Sequence, residues 1–327
     1  GVVDPMPRKK INRILFHHHS LHQKTRHENE TIALDHLDEL RDDFALRGRC
    51  EMFRVDLKSM AAAHQLHQGT NLRGHLVWAK MPHFQRLLTI RNVQAPEEDE
   101  DILQFFREHH DPTIYMERHA MRRGEFRKLI SPLVRSGHLV QDYRGGFKTV
   151  EPITSSDLWE VKRDFLRDLV KDYPVITLKQ VERLAGSPFS AEEISDVMRE
   201  FEEDDTLIKG FLVDDMHDVC WGRHDMLENS DVLTKTRDLV IPPSDPLIHY
   251  YGSLLREKFG YGSAYLVFHR EEPVAAFKAN TRAGVIQITD FVGDSDLEKE
   301  ALRVMKEFAW EHDMPLKGKL YERLRSR

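Results

Sequence analysis

The chain has 327 residues, enough for about two or three domains, and with 40% hydrophobic and 31% charged residues it has the composition of a globular protein. No apolar run reaches the length of a membrane span and no secretory core opens the chain, so we expect no membrane association. The net charge of -7 at pH 7 argues against a protein that binds nucleic acid over its whole surface. Two cysteines, Cys50 and Cys220, exclude a disulfide framework and favour a reducing cytoplasm.

Residues 1–96 are predicted to form a helical N-terminal region. Apolar residues at helical spacing indicate one amphipathic helix from Ile11 onward and a second over residues 32–46. A third apolar helical segment covers residues 57–78 and is interrupted at Gly69. The string from Leu76 to Phe84 is expected to be a packed helix that Pro82 ends.

One pattern occurs twice in the middle of the chain, with the second copy about 68 residues after the first. Each copy has apolar residues at i, i+3, i+4 and i+7, beginning at Phe126 or at Ile194, followed by a tight turn and two short strands. In the first copy the helix covers residues 123–134 and the hairpin covers residues 138–150. This pattern is typical of the second half of a winged helix. We therefore predict one winged helix over residues 97–152 and another over residues 153–236.

The two copies differ in charge. Residues 117–148 contain eight Lys/Arg and three Asp/Glu, whereas residues 192–231 contain three Lys/Arg and fourteen Asp/Glu. Such sorting creates local fields of opposite sign, although solvated helix faces alone would also explain it. The first copy is suited to approach phosphate and the second is not.

Residues 237–327 are predicted to form a small C-terminal domain. Pro242-Pro243 and Asp245-Pro246 are typical of a linker, and a helix is expected over residues 247–259. Three strands over residues 264–269, 274–279 and 285–291 form a β-meander, which a helix over residues 297–312 closes. The predicted fold class is α+β, mostly α: a helical N-terminal region, tandem winged helices and a small β-meander domain with a closing helix.

Several kinds of site are excluded by missing motifs. The sequence has no P-loop, no dinucleotide-binding fingerprint and no nucleophile elbow. The tightest histidine groups are His17-His18-His19 with His22, and His217 and His224 around Cys220. Neither has a second ligand pair at the spacing of a structural zinc site. We therefore expect no metal and no cofactor.

A polar segment of residues 64–69 is the most suggestive of chemistry. It contains His64, Gln65, His67 and Gln68 next to an apolar segment and before a glycine. A glutamine amide both donates and accepts hydrogen bonds, so it can hold a water molecule, although it is not a strong base.

The order of these parts resembles the AlkZ/YcaQ-type DNA glycosylases, whose module also occurs at the C-terminus of large helicase-related proteins. The resemblance spans nearly the whole chain and rests on the tandem winged helices and four short motifs: Asn12-Arg13-x-Leu15, Gln68, the string from Leu76 to Phe84, and Pro242-Pro243-x-Asp245-Pro246. In that family a Gln-x-Gln or Gln-x-Asp motif before the Trp string positions the attacking water.

Carried over to this chain, the second member of that motif is Gln68 and the first falls on Leu66, which cannot bind water. Gln65 is one position away. A family histidine falls on Arg91, within Thr89-Ile90-Arg91-Asn92-Val93. The resemblance thus implies Gln68, and Gln65 one position from the motif, as candidate catalytic residues. From the polar segment itself we add His67 as a third candidate, and Asp56 with His64 or His67 would supplement the glutamines.

The resemblance and the charge pattern together predict a DNA-binding repair protein, in particular a monofunctional glycosylase that hydrolyses the glycosidic bond of alkylated or crosslinked purines. Its partner would be duplex DNA, bound mainly through phosphates by seven residues of the first copy: Arg122, Arg123, Arg127, Lys128, Arg135, Arg144 and Lys148. The acidic second copy would face a protein partner such as a helicase or repair factor. This function predicts a cytoplasmic, nucleoid-associated protein.

Two alternatives remain open from the sequence. One is a non-enzymatic winged-helix module, either a transcription regulator or a helicase-associated domain. The other is a repeat that serves only as a packing scaffold.

Overall fold

The computed structural model describes residues 4–22, 56–214 and 216–326, so the helix expected over residues 32–46 lies outside the described residues. The chain forms two compact units. We call Glu28–Leu166 with Ala185–Phe189 the central unit. The terminal unit consists of Gly1–His27, Arg167–Leu184 and Ser190–Arg327. The division into four domains stays a prediction.

The described residues form these helices: α1 (Arg8–His18), α2 (Leu57–Ala63), α3 (Met81–Arg91), α4 (Glu100–Glu108), α5 (Pro112–Arg118), α6 (Arg123–Ser136), α7 (Leu158–Val170), α8 (Leu178–Ala185), α9 (Ala191–Glu203), α10 (His224–Glu228), α11 (Leu247–Tyr250), α12 (Gly252–Phe259), α13 (Glu298–Glu311) and α14 (Lys319–Arg325). The strands are β1 (Leu66–Thr70), β2 (Leu76–Lys80), β3 (Leu139–Asp142), β4 (Phe147–Thr149), β5 (Val175–Ile176), β6 (Leu207–Gly210), β7 (Cys220–Arg223), β8 (Leu239–Ile241), β9 (Tyr265–His269), β10 (Glu272–Arg282), β11 (Val285–Gly293) and β12 (Leu316–Lys317). This mixture of helices and sheets is consistent with the α+β class.

A four-stranded sheet in the order β2-β1-β3-β4 organises the central unit. Strand β1 pairs antiparallel with both β2 and β3, so the hairpin of the first copy continues into strands from the region that the sequence predicted to be helical. The helix expected over residues 57–78 is therefore wrong beyond Ala63, where α2 ends.

A tight turn explains why this segment forms a hairpin. The Asn71 side-chain oxygen accepts hydrogen bonds from the backbone N–H groups of Arg73 and His75, each at 3.0 Å, and Gly74 supplies a positive φ of 82°. Pro82 stands in the first turn of α3, where its missing N–H costs nothing. The expectation that Pro82 ends a helix is wrong, because it begins one.

The helical part of the central unit packs on this sheet. Phe106 in α4, Phe126 in α6 and Phe147 in β4 belong to one buried cluster that also includes Leu139 of β3. Helix α6 ends at Gly137, whose φ of 87° only glycine adopts readily. The expected helix, tight turn and hairpin are present in this copy, and α9 followed by β6 and β7 repeats them in the second. Whether either copy is a winged helix in the full sense stays a prediction.

The terminal unit contains a five-stranded sheet in the order β12-β11-β10-β9-β8. The three expected strands are present as β9, β10 and β11, and the sequence missed the short strands β8 and β12. The linker expected at Pro242 and Asp245 is wrong, because this segment is a packed turn directly after β8. Asp245 is only 4% exposed, and its carboxylate accepts the backbone N–H of Leu247 at 3.0 Å.

Helix α1 is joined to the sheet of the terminal unit through a buried polar network. Arg13 forms two hydrogen bonds with the Glu271 carboxylate, at 2.7 and 2.8 Å, and Asn12 donates to the Glu271 carbonyl at 2.8 Å. The Tyr251 hydroxyl donates to Asn12 at 2.7 Å, and the Thr236 N–H donates to Glu271 at 2.9 Å. The Asn12-Arg13 motif therefore has a structural role in this protein.

Within the described ranges, no helix combines the length and the apolar character that crossing a bilayer requires.

Candidate active site and nucleic-acid interface

Gln68 lies in the middle of β1, between two other strands. Its register partners are Trp78 on β2 and Gln141 on β3. Residues directly opposite each other in an antiparallel ladder project to the same face of the sheet. The half-buried side chain of Gln68 is thus flanked by Trp78, which is 7% exposed, and by the half-buried amide of Gln141.

The neighbouring glycine fixes the position of this strand. A Cβ atom at Gly69 would lie 2.6 Å from the Phe84 ring of α3 and 2.7 Å from Val140 of β3. Only glycine permits this close approach of β1 to the helix below it. The Gly69 that the sequence marked as a break in a helix instead allows tight packing beside Gln68.

The structure separates Gln68 from Gln65. Gln65 is exposed and has a positive φ of 54° at the junction between α2 and β1, before the strand begins. Leu66 is two residues from Gln68 and projects to the same face, because side chains alternate along a strand. Leu66 is 2% exposed and apolar. A buried leucine side chain therefore occupies the position where a Gln-x-Gln motif would have an amide.

His67 projects to the opposite face of β1 from Gln68. It is 4% exposed, lies opposite Asp142, and its Nδ1 atom has no hydrogen-bond partner. Burial lowers the pKa of His67, and the nearby positive charge of Lys148 lowers it further, so the imidazole is neutral at pH 7. A water held by Gln68 would be on the far side of the strand from His67, which does not favour a catalytic role for this histidine.

The remaining residues near the polar segment have local structural roles. The Asp56 carboxylate caps α2 by accepting the Ser59 N–H at 2.8 Å, a bond that lowers the pKa of Asp56, and His64 is the C-cap residue of the same helix. Arg91 donates to the carbonyl oxygens of Thr70 and Asn71, both at 2.5 Å. It thereby supports the end of β1 from α3.

Three of the predicted DNA-binding residues form what we call the basic stripe: Arg127, Lys128 and Arg135. All three are exposed on α6. At about 100° per residue, they lie within an arc of roughly 100° on the helix surface. The stripe is the strongest candidate for phosphate contact, because its charges share one solvent-facing side.

The stripe and Gln68 belong to the same structural assembly. The Thr70 hydroxyl of β1 donates to the Val134 carbonyl of α6 at 2.8 Å. Thr70 and Gln68 are two residues apart and therefore project to the same face of the sheet. Helix α6 is thus fixed to the strand that carries Gln68, on the face to which Gln68 points.

The other four predicted DNA-binding residues occupy different places. Arg122 and Arg123 are exposed at the start of α6, and Arg144 is exposed near the tip of the β3–β4 hairpin. Lys148 is half-buried and pairs with Val140, which places it on the His67 face. Among the described residues, none of the seven basic side chains forms an ion pair, so no carboxylate in that part of the chain neutralises them.

A cleft of about 530 Å³ in the central unit is lined by four titratable residues, Glu100, Arg107, His138 and Glu151, and all four have partners within the protein. His138 lines it, but its Nδ1 atom is 2.7 Å from the Ser136 hydroxyl and its Nε2 atom is 3.1 Å from the Val93 carbonyl. Arg107 is paired with Glu100 and Glu151. We therefore place no chemistry in this cleft.

The histidine and cysteine groups noted in the sequence do not form a set of metal ligands among the described residues, although the His17 and His22 rings stack with their centroids 4.0 Å apart. His17 and His19 contact backbone carbonyls, and Cys220 is fully buried, which raises the pKa of its thiol to about 11. In the part of the chain that the structure describes, no three His, Cys, Asp or Glu side chains are arranged to hold a metal ion.

Comparison with known proteins gives a match to a solved structure. No family model matches the sequence, and no curated protein matches it. Among solved structures, the Streptomyces sahachiroi DNA glycosylase AlkZ matches 96% of this chain and 100% of its own, with a TM-score of 0.62 and 11% sequence identity. The match shows a shared fold.

Proposed function

We propose that this protein is a DNA-repair glycosylase that hydrolyses the glycosidic bond of alkylated or crosslinked purines in duplex DNA. The observation that carries the proposal is the placement of Gln68. Its amide is half-buried on the sheet face to which the basic helix α6 is fixed by the bond between Thr70 and Val134. The shared fold with a DNA glycosylase supports the same function.

The chemistry required of such a site is modest. A purine alkylated at N7 is cationic, so it leaves as a neutral base when the bond from C1′ to N9 breaks. The enzyme must hold a water molecule near C1′, and an amide such as Gln68 can accept a hydrogen bond from that water. A glutamine would not suffice for an undamaged base, whose departure needs protonation.

The proposal is tested by incubating the full chain with duplex DNA that contains one N7-alkylated guanine and measuring release of the free base. We expect release at least tenfold faster than the spontaneous rate and no strand cleavage, because the proposed nucleophile is a water molecule and no covalent enzyme intermediate forms. Release at the spontaneous rate would refute the enzyme.

Position 66 carries a leucine where the motif would have an amide, and this favours a second candidate function. The protein would then be a non-enzymatic DNA-binding module that has the same fold and no catalytic activity. A specific footprint on undamaged duplex without base release would favour it. In either case, we propose that the acidic second copy faces a protein partner, because Glu192, Glu203 and Asp204 are exposed there and would repel phosphate.

Replacing Arg127, Lys128 and Arg135 together by alanine is expected to weaken DNA binding about 100-fold at low salt. Each lost phosphate contact removes about 0.9 from the slope of log K against log salt, so the slope should fall by roughly 2.7. Fluorescence anisotropy with one labelled duplex over a salt series measures both quantities.

The matched control removes three exposed cations from the terminal unit, Lys306, Lys319 and Arg323, and so changes the net charge equally. We expect the control to bind nearly as tightly as the wild type. Equal losses in the two variants would mean that total charge, and not the basic stripe, determines binding.

A further inference from the structure

We infer that Gln141 is the second water-binding amide of the site. It takes the place of the side-chain amide that position 66 lacks, because that residue is a leucine. This inference rests on the proposed function. Gln141 comes from the β3 strand of the hairpin, 73 residues after Gln68 in the chain. Sequence spacing alone could not connect the two residues.

The strand register brings the two amides together. Gln68 and Gln141 are direct partners in the β1–β3 ladder. Side chains of such partners leave the sheet on the same face with Cβ atoms about 5 Å apart. Two glutamine side chains starting from this separation can bind one water molecule between their amides.

Gln141 is held in place and still has capacity to bind water. Its Nε2 atom donates to the Gly145 carbonyl at the hairpin tip, at 3.2 Å. This bond uses one of the two amide hydrogens, and among the described residues the Oε1 atom accepts no hydrogen bond. The amide therefore keeps one acceptor and one donor for a water molecule or a substrate oxygen.

The surroundings distinguish Gln141 from other polar neighbours. Asp142, the next residue, projects to the opposite face, and its carboxylate accepts the N–H groups of Arg144 and Gly146 at 2.8 and 2.9 Å. His67 is also on that opposite face. Of the two residues directly opposite Gln68, Trp78 offers only an indole N–H, whereas Gln141 offers both an amide donor and an acceptor.

The two amides position a water molecule for hydrolysis of the glycosidic bond. The oxygen of the water held by Gln68 and Gln141 forms a bond to C1′ while the bond from C1′ to N9 breaks. The electron pair goes to N9 and neutralises the positive charge of the alkylated purine. The water proton passes to solvent, because neither amide is a base and the leaving base needs no proton.

The test compares single-turnover base release and duplex affinity for four proteins: wild type, Gln141→Ala, Gln94→Ala as an exposed control in the central unit, and the double variant Gln141→Ala with Leu66→Gln. We expect Gln141→Ala to lower the rate about 10- to 100-fold with duplex affinity within about twofold, and Gln94→Ala to match the wild type. The double variant should recover part of the rate, because a glutamine at position 66 projects to the same face. A purely structural role for Gln141 would not be rescued from position 66.

A second measurement tests binding without base release. The affinity for a duplex with a cationic pyrrolidine in place of the damaged nucleotide is compared with the affinity for a duplex with a neutral tetrahydrofuran. The pyrrolidine mimics the positive charge of the transition state, in which the bound water molecule lies opposite C1′. We expect the wild type to prefer the pyrrolidine duplex at least tenfold and Gln141→Ala to lose most of this preference.

The outcomes separate the two proposals. If the wild type releases base and Gln141→Ala does so at the same rate, the role of Gln141 is overturned and the glycosylase stands. If the wild type releases no base, the glycosylase falls. In that case the role of Gln141 is also overturned if the wild type does not prefer the pyrrolidine duplex, or if Gln141→Ala keeps the same preference.

Discussion

Gln68→Ala is expected to lower the single-turnover rate of base release about 100- to 1,000-fold. A single positioned hydrogen-bonding group at a reacting centre typically contributes an effect of this size. The amide is half-buried between Trp78 and Gln141, so a solvent molecule would not replace it in a fixed orientation. The rate is measured by quench-flow on duplex DNA with one N7-alkylated guanine, at saturating protein.

Gln65→Ala is the matched control for this prediction. Gln65 is exposed and precedes the strand, so its removal should change the rate less than about twofold. Duplex affinity of Gln68→Ala should stay near the wild-type value, because the basic stripe is intact. A Gln68→Ala protein that keeps the wild-type rate would place the chemistry elsewhere.

Glu271→Ala is expected to lower the free energy of unfolding of the terminal unit by about 3–5 kcal/mol, the usual cost of leaving one partner of a buried ion pair alone. Glu271 is 4% exposed, and its carboxylate accepts two hydrogen bonds from Arg13 and one from the Thr236 N–H. Chemical denaturation followed by tryptophan fluorescence measures the change. Glu272→Ala, at the exposed next position, should cost less than about 0.5 kcal/mol.

The same carboxylate makes stability depend on pH. Burial acts to raise the pKa of Glu271, but the Arg13 hydrogen bond and the Thr236 N–H outweigh it and hold the pKa below its usual value. A carboxylate with a lowered pKa in the folded state contributes stability above its unfolded pKa of about 4.3, and the contribution is lost as the pH falls through the folded pKa. Denaturation midpoints of the wild type should therefore fall as the pH drops below about 4. Glu271→Gln should show a smaller fall over that range.

Local patterns in the sequence were sufficient to predict many elements. Helix α6 and the hairpin after it follow from apolar spacing at Phe126 and Ile130 and from the glycines at 137 and 145. The closing helix α13 was predicted in the same way. These segments are stabilised by neighbours close in sequence, so their own residues determine their conformation.

Sequence reasoning failed where a distant segment determined the structure. Residues 66–80 have an apolar pattern that suits a helix, but pairing of β1 with β3 and packing of Phe84 against Gly69 make them strands. The same pairing is why Gln141 was missed, since nothing in residues 139–142 indicates which strand lies beside them. The Asn71 turn was a usable signal for the hairpin, because an Asn followed three residues later by Gly is typical of a tight turn.

Under the proposed function, the strand order β2-β1-β3-β4 fixes a distance along the bound duplex. Neighbouring strands lie about 4.8 Å apart, so Gln68 on β1 is roughly 10 Å from the outer hairpin strand β4, and backbone hydrogen bonds connect the strands between them. Duplex DNA rises about 3.4 Å per base pair, so this separation corresponds to roughly three base pairs. The hairpin would therefore hold a fixed separation along the DNA. The phosphates that it contacts would lie within about one quarter-turn of the double helix from the nucleotide bound at Gln68.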